Sequence, residues 1–116
     1  MTKIFSGSLY GTLNLLILQT VSRSGRAHGL EIARRIRDAT EDGLRLEEGA
    51  LYPALHRLER DGLLEGVWGT SDQNRRAKYY EVTADGRERL TREVRSWLQH
   101  TEAVCKVLEV AWTTPV

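Results

Sequence analysis

The chain has 116 residues, 41% of them apolar and 28% charged, with a formal net charge of +1. That is enough for one core, and no run approaches the roughly 20 uninterrupted apolar residues of a transmembrane helix. One cysteine (Cys105) and three scattered histidines argue against an internal disulfide and a metal-ligand cluster, so neither metal nor cofactor is expected. The opening residues MTKIFSGS hold no apolar signal-peptide segment. The cytoplasm is therefore the expected location, with no membrane partner.

The near-neutral charge does not by itself announce a nucleic-acid partner. The basic residues nevertheless cluster as Arg34, Arg35 and Arg37, as Arg57 and Arg60, and as Arg75, Arg76 and Lys78. A DNA-binding face would have to be assembled by folding these clusters together.

Residues 8–23 (SLYGTLNLLILQTVSR) read as a first helix. Leu9, Leu13, Leu16, Ile17, Thr20 and Val21 make one stripe, and Leu15 and Leu18 add apolar surface on another side. A helix apolar most of the way round is buried on more than one side, either as the centre of a monomer core or between that core and a second subunit. Ser24–Ala27 reads as a connector, and His28 as a cap or packing residue at the start of a second helix, 29–39. There Ile32, Ala33 and Ile36 point inward, while Arg34, Arg35 and Arg37 lie outward or at the flank. Those arginines fit either a solvated face or contact with phosphate, which positions a protein without reading sequence.

Residues 40–48 (TEDGLRLEE) read as a turn plus a short extended piece, Leu44-Arg45-Leu46, able to join a small sheet. A third helix is expected at about 48–61. Its apolar back is Leu51, Leu55 and Leu58; its front is Gly49, Pro53, His56 and Arg60, with Tyr52 and Arg57 on the flanks. Pro53 lacks an N–H and so belongs near the helix start, and Asp61-Gly62 is a stop signal. Leu63–Trp68 and Arg76–Val82 read as strands around a polar loop, 69–75, which gives a hairpin with basic residues near its tip.

Thr83 caps a last helix, about 84–110. In it Leu90, Val94, Trp97, Thr101, Val104 and Leu108 recur at spacings of 4, 3, 4, 3 and 4. That is a heptad seam, the pattern of helix pairing. Some 27 residues at 1.5 Å each make a helix of roughly 40 Å, long enough to seek a partner helix from a second copy. Residues 111–116 read as a frayed tail. Cys105 on the seam side reads as a small buried hydrophobe rather than a redox switch.

The expected fold is thus mainly α with a small β-hairpin wing: a winged helix-turn-helix with a long C-terminal dimerisation helix. Residues 1–83 would form the DNA-binding domain, and 84–116 the dimerisation helix and tail.

The segments GTLNLLIL, HGLEIARRI, EEGALYPALHRLERDGLL and RRAKYYEVTADGR together resemble the PadR family of bacterial transcription regulators over about residues 11–90. Val82 stands where that family more often has Leu. The resemblance implies a homodimeric DNA-binding repressor of the short class. Its third helix would enter the major groove, and its wing would touch the backbone or minor groove. Carried onto this chain, the recognition positions are Gly49, Ala50, Tyr52, Pro53, His56 and Arg57, with Arg75, Arg76 and Lys78 in the wing; Arg34 and Arg35 join them as candidate phosphate contacts on the residue reading above. The residue types suit the chemistry: Gly49 and Ala50 allow close approach, and Arg57 can read guanine. Tyr52 fits either a phosphate contact or packing under the wing.

The same resemblance makes Trp97 a candidate to stack a small flat aromatic effector at the dimer centre, walled by Leu13, Ile17 and Leu90 or Val94. The alternative is that Trp97 only packs the dimer core. Dimerisation is expected along the whole seam from Leu90 to Leu108, and the DNA partner is expected to be a palindromic operator with half-sites about one helical turn apart. A second functional reading is a winged-helix protein-interaction module without DNA binding, motivated by the acidic Glu41, Asp42, Glu47 and Glu48 beside the third helix. An enzyme is not expected, because the chain offers no nucleophile–base pair, phosphate loop or metal spacing.

Overall fold

A computed structural model describes the backbone of residues 2–111 and the side chains of residues 12–111. The elements run α1 (Thr2–Ser24), β1 (Ala27–His28), α2 (Gly29–Ala39), α3 (Glu48–Arg60), β2 (Leu64–Thr70), β3 (Arg76–Val82) and α4 (Ala84–Leu108). This is the expected winged helix-turn-helix with a long last helix. Of the expected stripe on α1, the Leu9 side chain lies outside the described residues, as does the tail beyond Ala111.

Besides β2, which runs on to Thr70 through two residues expected in the loop, two details differ from the sequence reading. First, α1 begins at Thr2 rather than residue 8. The TKIFSG segment carries no apolar period, so nothing in its pattern signals a helix. Second, Leu44–Leu46 joins no sheet. The third strand is Ala27–His28, the last residue of the expected connector and the expected helix cap, and the antiparallel order is β1-β3-β2. Ala27 pairs with Tyr80 and is fully buried. A strand of two residues is too short for alternation to reveal it. Leu44 and Leu46 instead pack against the core from an irregular segment. That segment follows two non-glycine residues in left-handed conformation, Glu41 and Asp42.

The helix ends are set locally. The His28 Nδ1 accepts from the Glu31 N–H at 3.2 Å while a Glu31 carboxylate oxygen accepts from the His28 N–H at 3.4 Å, a capping box on α2. Thr83 Oγ1 accepts from the Gly86 N–H at 3.0 Å and caps α4. At the end of α3, Leu63 N–H reaches the Leu58 carbonyl and Gly62 N–H the Glu59 carbonyl. This Schellman closure needs the left-handed φ of +77° that Gly62 supplies.

Leu13, Ile17, Leu18 and Val21 of α1, Ile32 and Ile36 of α2, and Leu51, Leu55 and Leu58 of α3 form one core, closed by Leu63, Leu64, Tyr80, Val82 and Leu90. Helix α4 enters that core only at its first half. Leu90 is 8% exposed, whereas Trp97 is 39%, Val104 38% and Leu108 63% exposed. Its 25 residues span about 37 Å, within a molecule measuring 51 × 29 × 25 Å. The far half of α4 therefore carries an apolar edge away from the core.

Candidate nucleic-acid interface

Helix α3 turns Leu51, Ala54, Leu55 and Leu58 into the core and leaves Gly49, Pro53, His56, Arg57 and Arg60 exposed. Pro53 is the sixth residue of the helix, one turn later than the position that costs nothing, and it leaves the Gly49 carbonyl without an intrahelical N–H donor. The start of α3 also differs from those of α2 and α4. Its cap residue, Glu47, makes no side-chain hydrogen bond, so the first-turn N–H groups meet no capping side chain. A Cβ placed on Gly49 would meet nothing within 4 Å. Ala50 is half-buried and packs against the core.

Tyr52 is half-buried. Its ring lies across Gly29 at the start of α2, where a Cβ would sit 2.7 Å from Cε1. Burial, then the neighbouring Glu48 carboxylate, raises the Tyr52 pKa, so the phenol stays protonated and can donate a hydrogen bond. Tyr52 thus locks α3 onto α2, with part of its surface still open to solvent.

The wing is β2 and β3 around a loop closed by Ser71 N–H to the Arg75 carbonyl at 2.7 Å, with Asn74 left-handed. The register pairs Leu64 with Val82, Gly66 with Tyr80, Trp68 with Lys78 and Thr70 with Arg76, which places all of these on one face. At its base that face is core, through Leu64, Tyr80 and Val82. Farther out it turns toward α3. The Lys78 ammonium donates to Glu59 of α3 at 2.7 Å and lies 5.5 Å from the centre of the Tyr80 ring. The hydrogen bond to Glu59 raises the Lys78 pKa, against the opposing effect of desolvation. Gly66 makes room for this bridge, since a Cβ there would strike the Lys78 stem and the Glu59 carboxylate. Beyond Lys78 the Arg76 guanidinium lies over the Trp68 ring, 4.4 Å from its centre.

The expected basic residues divide by what they already hold. Arg35 pairs with Glu31, and Lys78 with Glu59. Arg37 and Arg45 share Asp42, Arg60 reaches Asp61, and Arg26 reaches Glu81. Arg34, Arg57, Arg75 and Arg76 are exposed and pair with no carboxylate among the described residues. Sequence reasoning missed Trp68 and Gly66. Only the strand register reveals them, because it sets Trp68 beside two basic side chains and Gly66 opposite the helix.

The residues expected around an effector are not gathered on one surface of this chain. Leu13 and Ile17 are sealed in the core at 2% and 0% exposure, Val94 packs against it, and Trp97 is exposed. A cleft of about 710 Å³ lies elsewhere, between the end of α1 and α2, lined by Leu16, Thr20, Arg23, Arg35, Ile36 and Thr40 among others. Of the seam, Leu90 and Val94 contact their own domain, Thr101 and Cys105 are half-buried, and Trp97, Val104 and Leu108 are exposed. No described group of three or more His, Cys, Asp or Glu side chains could hold a metal ion, and no described helix is long and apolar enough to cross a membrane.

Residues 17–92 match the model of the PadR-like family of transcriptional regulators. A transcriptional regulator of Mycobacterium tuberculosis is 40% identical over 69 residues, covering 60% of this chain and 61% of that protein. A PadR-family regulator from Eggerthella lenta superposes with a TM-score of 0.80 at 28% identity, over 95% of this chain and 93% of its own. A PadR-like regulator from Bacillus cereus gives 0.74 at 28% identity, over 89% and 97%. The family is one of regulators and not of enzymes, in line with the chemistry the sequence lacks. A family model that matches residues 17–92, on a winged-helix fold shared with PadR-like regulators, makes this protein a member of the PadR-like family, a DNA-binding transcription regulator.

Proposed function

We propose that the protein is a homodimeric repressor that binds a palindromic operator, with α3 in the major groove and the wing on the adjacent backbone or minor groove. The observation that carries this reading is the exposed front of α3, where Gly49, Pro53, His56 and Arg57 touch none of the chain's own core. Ala50 and Tyr52 seat that front on the domain. Arg57 and His56 read base edges; Arg34, Arg75 and Arg76 contact phosphate. Arg35 and Lys78 contribute mainly by holding α2 and the wing in place through Glu31 and Glu59.

Residues 1–83 act as the DNA-binding unit and α4 as the dimerisation unit, with Trp97, Thr101, Val104 and Leu108 against a second copy. The exposed apolar edge of Trp97, Val104 and Leu108 beyond the buried Leu90 supports this. A flat aromatic effector would stack on Trp97 and Val94, and release of DNA would follow from a shift of α4. An electrophoretic shift with the region upstream of its own gene tests the DNA reading. Sequence-preferring, salt-sensitive retardation is expected. Equal, weak binding to any duplex would defeat it and favour the protein-interaction reading, for which Glu47 and Glu48 at the start of α3 are the supporting feature.

A further inference from the structure

Trp68 is 57% exposed in the middle of the wing, where nothing in the fold requires a large aromatic side chain. It sits on the wing face that turns toward α3, directly across from Lys78 and diagonal to Arg76. The Lys78–Glu59 bridge, 2.7 Å from Nζ to Oε1, ties that face to α3. Whatever passes between α3 and the wing therefore meets the pair formed by Trp68 and Arg76. In the DNA reading given above, on which this inference rests, that object is a phosphodiester backbone.

The two side chains divide the work. A guanidinium lying on an indole is held by cation–π attraction, and one of its faces is dried. Its donors lie in its own plane, so the N–H groups at the edge remain free, and a planar fork matches two phosphate oxygens at once. Arg76 has no carboxylate partner to hold it among the described residues, and the indole supplies the constraint instead. An unsupported arginine on a loop-proximal strand would spend conformational freedom on every contact.

We propose that Trp68 is a positioning residue for DNA binding: it holds the Arg76 guanidinium edge-on to the phosphate backbone running between α3 and the wing.

The test is a double-substitution cycle read by fluorescence anisotropy. One labelled duplex carries the region upstream of the protein's own gene; the other is of random sequence and about 30 bp, three helical turns. W68A is expected to weaken binding about three- to five-fold on both duplexes, the range an exposed cation–π contact supports. W68L keeps the bulk but removes the π-face and should match W68A, whereas W68F should recover most of the affinity. In an R76A background W68A should cost nothing further. In an R76K background its cost should shrink, because an ammonium on a mobile stem does not need the indole to set its plane. Circular dichroism melting of each variant separates loss of fold from loss of positioning. Equal losses from W68A with and without Arg76 would overturn the inference, as would full affinity in W68L. A wild-type chain that binds neither duplex would remove the DNA reading and this inference together. A wild-type chain that binds, with additive substitutions, removes only the inference.

Discussion

Gly49 offers the sharpest separation of folding from function. It is the second residue of α3, exposed, and beyond its neighbours and the local helix backbone nothing lies within 4 Å of where a Cβ would stand. Its backbone is helical, so the fold makes no conformational demand for glycine there. Glycine in a helix costs about 0.5–1 kcal/mol relative to alanine, and nothing within the chain offsets that. Gly49→Ala should therefore stabilise the free protein by about 0.5 kcal/mol or slightly more and raise Tm by about 2–5 °C. If α3 presents this end to base edges, the same methyl group has to fit a packed interface, where overpacking costs about 1–3 kcal/mol. Operator affinity should then fall about ten-fold or more, with a smaller loss on random duplex, where the helix is not seated. Thermal melting followed by duplex titration measures both. A variant that melts higher and binds the operator as tightly as wild type would refute the close approach of α3. One that melts lower would refute the reasoning about free space.

Gly86→Ala should do the opposite in the fold. A Cβ there would run into the Leu63 carbonyl oxygen and Val82, neither of which is a flexible chain end. A loss of about 2 kcal/mol net of helix propensity is expected in chemical denaturation, and an unchanged midpoint would contradict the packing. Lys78→Met should cost at most about 1 kcal/mol, since the Glu59 bridge is partly exposed, and should lower the salt dependence of DNA binding less than Arg75→Ala does. Because Glu59 raises the Lys78 pKa above its ordinary 10.5, the bridge contributes fully below that value and fades only as pH rises through the higher folded one. The stability gap between Lys78→Met and wild type should thus be flat at neutral pH and close above about pH 10.5. His56→Ala and Arg57→Ala should change which duplexes are preferred, while Arg75→Ala weakens all of them alike. Equal losses across sequences for all three variants would remove that division of roles.

Most of the fold was legible because its elements are long and periodic. The back of α3 at Leu51, Leu55 and Leu58 and the seam on α4 are helix stripes, and the Asp61-Gly62 stop and the Thr83 cap follow from local backbone chemistry. What escaped was non-local. The pairing of Ala27–His28 with β3 depends on where α1 delivers the chain, and although Asp42-Gly43 marks a turn, nothing local shows that the chain leaves it with Leu44 and Leu46 packed on the core rather than in a sheet. The site was legible as a set of residue types but not as a set of partners. Lys78 and Arg76 look equivalent in the sequence, and only the register and the approach of α3 give one a carboxylate and the other an indole. Leu13 and Ile17 look like candidate walls for a ligand until α4 and the other helices close over them.

The near-zero net charge then has a different meaning from the one the composition suggests. Charge that is paired inside the molecule does not release counterions from DNA in the way free charge does. Around α2, α3 and the wing, Arg26, Arg35, Arg37, Arg45, Arg60 and Lys78 hold carboxylates, leaving Arg34, Arg57, Arg75 and Arg76. At about 0.9 per neutralised phosphate, the three of these assigned to the backbone, Arg34, Arg75 and Arg76, give a slope of log affinity against log salt of about −3 for one subunit and about −5 for a dimer seated on two half-sites. Titrations between low and moderate salt measure that slope directly. A value near −1 would mean that the free arginines do not meet phosphates, and the acidic start of α3 at Glu47 and Glu48 would then govern the face. A value well beyond about −5 would mean that the ion pairs open on binding, so that Arg35, Arg60 and Lys78 leave their carboxylates for the backbone. Between those limits, the fold itself selects which few of the chain's many cations can act on DNA.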